Sequence, residues 1–174
     1  MYLYLLIFLA LFQSTPLIEW NQERKLSWAD FKGKPDINTS KAALTYCSIH
    51  AQFGYDEKSL EYNITCRFDG NKSWGRIKND YILSHEQRHF DLTEVYARKL
   101  HKELKEYRFS RNTVGDDINR IYQSVVTDLA KVQQQYDLET DHSRNYPGQL
   151  QWNNRIDSLL NVLHPFSNYK TPAR

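Results

Sequence analysis

No apolar run in this sequence approaches the roughly twenty residues that a helix needs to cross a bilayer core. The longest, Tyr2 to Phe12, is followed at once by Gln13, Ser14, Thr15 and Pro16. Basic clusters are missing too. The 23 Lys and Arg residues are scattered along the chain and offset 21 acidic ones, for a net charge of +2. Phosphate binding needs a clustered basic face, so no nucleic-acid partner is expected. Repeats and low-complexity tracts are also absent, and cysteine is limited to Cys47 and Cys66. What remains is an ordinary globular composition, 40% hydrophobic and 25% charged. Aromatic residues, at 14%, are plentiful enough to build a compact core from few positions.

The N-terminal run lacks a preceding Lys or Arg, yet its position and the small polar residues after it read as a signal-peptide core. Residues 1–15 are therefore assigned to a signal peptide and 16–174 to a single domain. No stable membrane span is expected after leader removal.

Ala42 to Gly54 and Ser59 to Phe68 alternate as half-buried strands do. A turn at Asp56 and Glu57 would set Phe53 opposite Leu60, Ala51 opposite Tyr62, Ile49 opposite Ile64 and Cys47 opposite Cys66. The other face would pair Gln52 with Glu61, His50 with Asn63 and Ser48 with Thr65. That register sorts apolar from polar almost completely, with Tyr46, opposite Arg67, the one mixed case. It also predicts a cross-strand disulfide between Cys47 and Cys66, which suits an exported protein. Ser27 is placed to cap a short helical turn ended by Gly33 and Pro35, and Trp74 to open a third short strand.

The remainder reads as three helices, at about 80–109, 116–138 and 147–163, each with apolar residues at three- and four-residue steps. The expected class is α+β, a small antiparallel sheet (hairpin 42–68) packed against about three helices.

Within the first helix, His85-Glu86-Gln87-Arg88-His89 matches the His-Glu-x-x-His pattern. Four residues are slightly more than one turn, so both imidazoles project from one face and can share one metal ion. Glu86 lies about 100° around the helix from His85. It can flank a zinc ion without ligating it and act as general base and acid. A catalytic zinc needs a third protein ligand. His50 falls on the polar face of the hairpin, His101 about four turns beyond the motif on another side, and His164 at a helix end. His142 is the choice, because an antiparallel second helix would return its C-terminal end to the level of the motif. Glu139 is the alternative ligand. The member not used, with Tyr136 and Tyr146, is a candidate for a supporting or oxyanion-stabilising role.

Three stretches resemble one bacterial family. They are Arg24-Lys25-Leu26-Ser27-Trp28-Ala29-Asp30-Phe31-Lys32-Gly33, His85 to Asp91, and Tyr136 to His142. The family is catalogued as a domain of unknown function and described as predicted secreted zinc-dependent proteases. One departure is Arg88, where the family usually has Gly. The resemblance implies a zincin-like active-site helix, a zinc cofactor, and a bacterial protein that is secreted or periplasmic.

The expected function is hydrolysis of peptide bonds in a peptide or protein substrate, cell-wall peptides included. The alternatives are a metal-binding or cell-envelope binding protein that keeps the site without turnover, and an envelope scaffold in which the motif is accidental. An intact Glu86 favours catalysis, since a purely structural site has no use for a free carboxylate there.

Overall fold

The structure, a computed structural model, describes residues 17–169. The signal-peptide assignment lies outside those residues. The strands form two small antiparallel sheets. One has the strand order β1 (Ile18–Glu19), β4 (Leu60–Phe68), β3 (Cys47–Tyr55), and the other pairs β2 (Ala43–Leu44) with β5 (Trp74–Gly75). Three helices complete the described residues, α1 (Asp80–Glu106), α2 (Val114–Glu139) and α3 (Tyr146–Val162). The α+β class is the one the sequence implies. No helix of the described residues is long and apolar enough to cross a membrane.

The hairpin keeps the expected faces but not the expected register. Cys47 pairs with Phe68, Ile49 with Cys66, Ala51 with Ile64 and Tyr55 with Leu60. The cause lies in the turn. The Asp56 carboxylate accepts from the Lys58 and Ser59 amides at 2.7 and 2.8 Å, and the Asp56 amide donates to the Ser59 carbonyl. This Asx turn closes a four-residue loop, two residues longer than a turn centred on Asp56 and Glu57. A two-residue slip preserves the side-chain period of two, so Ile49, Ile64, Cys66 and Phe68 still face the core.

The cysteines are therefore diagonal rather than opposite, and no disulfide joins them. The predicted disulfide does not form in this register. Cys47 instead lies with its sulfur 2.8 Å from the Thr93 hydroxyl and 3.6 Å from the His89 carbonyl. Burial pushes its pKa up to about 12. The cysteines thus lend no support to export.

Chain 42–55 is also not one strand. At Thr45 and Tyr46 it leaves β5 and joins β4. The Tyr46 amide bonds the Ser73 hydroxyl, and its carbonyl accepts from Asp69. Trp74 does open a short strand, as expected.

α1 is buried on nearly every side, from Ile82 and His85 through Phe90, Leu92 and Val95 to Leu104. A helix closed off all round must be sandwiched. The β3–β4 face covers one side, where Phe68 meets Phe90 at 5.9 Å between ring centres. α2 and α3 cover the other, where Leu92 packs with Tyr136, Trp152 and Ile156. The segment before β2 ties down α1 from a third direction. The Trp20 indole donates to buried Asp91 at 2.9 Å, and the Leu26 amide donates to the Gln87 side chain at 2.8 Å. Asn79 caps α1 by accepting from the Ile82 amide. Ser27 and Asp30 close the expected turn at Trp28–Asp30.

The α2–α3 connection is tight and unusual. Asp141, His142 and Ser143 all have positive φ, at 48, 50 and 76°. Non-glycine residues there cost on the order of 1–3 kcal/mol each. The His142 amide donates to the Asp137 carbonyl at 2.8 Å, and Asn145 caps α3 while its side-chain amide bonds the Glu139 carbonyl. Gly148 permits this closeness, because a Cβ there would sit 2.4 Å from the Glu139 carbonyl oxygen.

Candidate metal centre and its groove

α1 and α2 run antiparallel, and their facing surfaces turn polar at one level. His85 and His89 come from α1. Gln133 and Asp137, one turn apart, come from α2. The His85 and His89 Nε2 atoms lie 3.3 Å apart, and the Asp137 Oδ1 atom lies 3.3 and 3.1 Å from them. Four ligands held tetrahedrally at about 2.0–2.1 Å stand about 3.3 Å from one another. The three atoms thus form one face of such a tetrahedron, and the group can hold a metal ion.

Both imidazoles are set for that task by a side-chain amide. Gln149 on α3 presents its Oε1 to His85 Nδ1 at 2.8 Å, and Gln133 presents its Oε1 to His89 Nδ1 at 2.5 Å. The amide nitrogens are fixed in turn. Gln149 donates to the Tyr136 hydroxyl and Asn153, and Gln133 to the His89 carbonyl and Thr93. Each imidazole therefore carries its proton on Nδ1 when neutral and leaves Nε2 to a metal.

Without a metal, the surroundings of His89 favour its protonated form. Burial works against a charged His89, but the Asp137 hydrogen bond and the Glu86 and Asp137 charges outweigh it and raise its pKa. Burial likewise opposes ionised Asp137, and its bonds to both histidines and to Lys41 hold it far below the usual carboxylate range.

Glu86 is only 4% exposed and its Oε2 has no hydrogen-bond partner. A buried carboxylate oxygen without a partner is costly. Its place beside three converging ligand atoms suits a group that meets a water or a substrate. The donor set and this orphaned oxygen both fit a metal.

The third donor brought to the histidines is thus Asp137, not His142 or Glu139. α2 stays helical through Glu139, so the level that meets the motif is reached at 137. His142 turns back over the site, with Nδ1 3.4 Å from Asp137 Oδ2. The same oxygen accepts from Lys41 at 3.0 Å. Glu139 faces elsewhere, accepting from Gln135 and the Trp152 indole. Tyr136 is fully buried, stacked on His85 at 4.6 Å, donating to the His85 carbonyl and accepting from Gln149. Its hydroxyl is committed to supporting His85. Tyr146 is 65% exposed and stacks on Tyr81. Arg88 turns towards Asp91 and Asp157 of α3, and does not line the groove.

The groove above the cluster holds about 350 Å³. Its floor is Ile82, His85, Glu86 and His89. One wall is chain 41–47, and the other is Gln133, Gln134, Asp137, His142 and Ser143. The first wall is an open strand edge. The Arg76 amide bonds the Ala42 carbonyl past the Ala43–Gly75 pair, so Ala42 and Leu44 direct their backbone groups at β5. Tyr46 directs its own at Ser73 and Asp69. By alternation Ala43, Thr45 and Cys47 direct theirs away from both sheets. The edge ends at Ile49, whose carbonyl accepts from the Tyr122 hydroxyl at 3.1 Å. Thr45 ties this wall to the floor through the Glu86 carbonyl.

The family model that matches the chain, over residues 28–143, is described as a bacterial protein of unknown function (DUF922). The match takes in both histidines, Glu86, Asp137 and His142, whereas α3 with Gln149 lies beyond it. No curated protein and no solved structure matches.

Proposed function

We propose that this chain, which belongs to DUF922, a bacterial family of unknown function, is a zinc-dependent peptidase. What carries the proposal is the coincidence of three ligand atoms 3.1–3.3 Å apart with a buried, unpartnered carboxylate oxygen of Glu86. In this reading His85, His89 and Asp137 hold the metal. Zinc bound there would polarise a carbonyl and bring the acidity of water near neutrality. Glu86 takes a proton from the attacking water and returns it to the departing amine as the C–N bond breaks. Gln149, Gln133 and Tyr136 keep the two imidazoles in place, and Lys41 and His142 hold the second oxygen of Asp137.

The strand edge gives the substrate its form. An extended peptide laid along Ala43, Thr45 and Cys47 would complete their backbone hydrogen bonds across the metal cluster. A purely structural metal site gains nothing from such an edge or from Glu86. An exported protein of this kind would meet envelope proteins or cell-wall peptides.

The test is turnover by the zinc-loaded protein of a mixed library of synthetic peptides, mapped by mass spectrometry, beside a Glu86→Gln variant. Cleavage by the parent with loss of at least about a hundredfold in the variant supports the proposal. Metal retained in both proteins with no cleavage by either would leave a metal-binding protein and defeat it.

A further inference from the structure

The two ends of the groove differ in charge. At one end stand Lys41 and His142, and at the other Cys47, Gln133 and Gln134, none of which carries a charge. Glu86 and Asp137 lie between, committed to the metal cluster. Among the described residues lining the groove, Lys41 is the only full cation. Its ammonium has three donors, of which Asp137 engages one, and its side chain is 36% exposed.

Chain direction turns this asymmetry into a preference. The open edge runs from Ala43 to Cys47, and antiparallel pairing is the more stable arrangement per residue. A peptide bound antiparallel to it runs the other way, with its C-terminal part heading from Cys47 towards Lys41. At about 3.3 Å per residue, the residues just after the cleaved bond arrive beside the ammonium.

We propose that the groove selects peptides carrying a carboxylate within about two residues after the cleaved bond, and that Lys41 reads it. The carboxylate is either an acidic side chain or the peptide's own C-terminus. This rests on the peptidase reading and names its substrate class.

The experiment compares kcat/KM for matched synthetic peptides bearing Glu, Gln or Lys at the first and second positions after the bond. One arm is C-terminally amidated. A second arm ends at those positions with a free or amidated terminus, which separates side chain from terminal carboxylate. Glu is expected over Lys by about tenfold or more in the first arm if the side chain is read, since juxtaposed like charges are strongly unfavourable. If the terminus is read, the free acid is favoured over the amide to the same degree. Lys41→Met should bring the ratio close to one, and Lys41→Glu should invert it. Because each ratio is taken within one protein, it does not depend on how fully that variant is loaded with zinc.

A ratio unmoved by either Lys41 variant overturns the proposal. Cleavage with no charge preference defeats this inference alone, whereas no cleavage of any peptide defeats the peptidase reading with it.

Discussion

Replacing Gln149 with leucine tests how the His85 ligand is held. Gln149 is 2% exposed and makes three bonds, to His85 Nδ1, the Tyr136 hydroxyl and Asn153. Leucine fills a similar volume but leaves the His85 N–H without an acceptor in a closed interior. One unsatisfied buried group costs about 1–3 kcal/mol. For a domain of this size each kcal/mol moves Tm by about 2–4 °C, so the metal-free variant should melt about 2–12 °C lower. A supporting bond to a ligating histidine is worth about 10–100-fold in metal affinity. Zinc affinity, read by competition against a chromogenic chelator, should fall by that factor. Gln149→Glu keeps an acceptor and should retain affinity near the parent value. A variant that melts lower yet binds zinc as tightly as the parent would show that the amide only fills the core.

Four further outcomes follow from the same geometry. The raised pKa of His89 stabilises the metal-free protein below its ordinary 6.5, and that contribution is lost as pH rises through the folded value. The lowered pKa of Asp137 stabilises above 3.8 and is lost as pH falls through the folded value. The Tm difference between metal-free parent and His89→Gln should therefore be greatest between those two values, and a flat difference from pH 4 to 9 would refute the pairing. With the Cys47 pKa at about 12, a thiol reagent at pH 8 should meet about a thousandfold less Cys47 thiolate in the native protein than in denatured chain. Two thiols should titrate in denaturant without reductant, and none would mean the disulfide forms. At φ 76°, Ser143→Val should cost about 1–3 kcal/mol by denaturant melting, whereas Ser143→Gly should cost little. Equal losses would argue against the left-handed turn.

Amphipathic pattern made the helices and both hairpin faces legible from sequence, because burial selects residues at periods of 3.6 and 2. The register was not legible. A shift of two residues leaves the same side chains on the same faces, and only the Asp56 carboxylate bonding to the Lys58 and Ser59 amides distinguishes the pairings. Two-residue strands such as β1 and β2 are too short to show a period. The paired histidines and Glu86 followed from spacing on one helix. Asp137 did not, because a ligand from a second helix depends on where that helix ends. Its signal was present, however. Gln133, Tyr136 and Asp137 form a polar step at i, i+3 and i+4 on a stripe otherwise made of Ile118, Val125 and Leu129. A stripe that turns polar where it faces a two-histidine motif marks the ligand more surely than the loop histidine beyond it.

The central claim is that His85, His89 and Asp137 together hold zinc, and it is tested most directly by elemental analysis of purified protein. The parent, Asp137→Ala, His142→Ala and Glu86→Gln should be compared after equal exposure to zinc. About one zinc per chain is predicted for the parent, for Glu86→Gln and for His142→Ala, with clear loss in Asp137→Ala. Zinc kept by Asp137→Ala and lost by His142→Ala would contradict the assignment, and no zinc in the parent would contradict the metal centre itself.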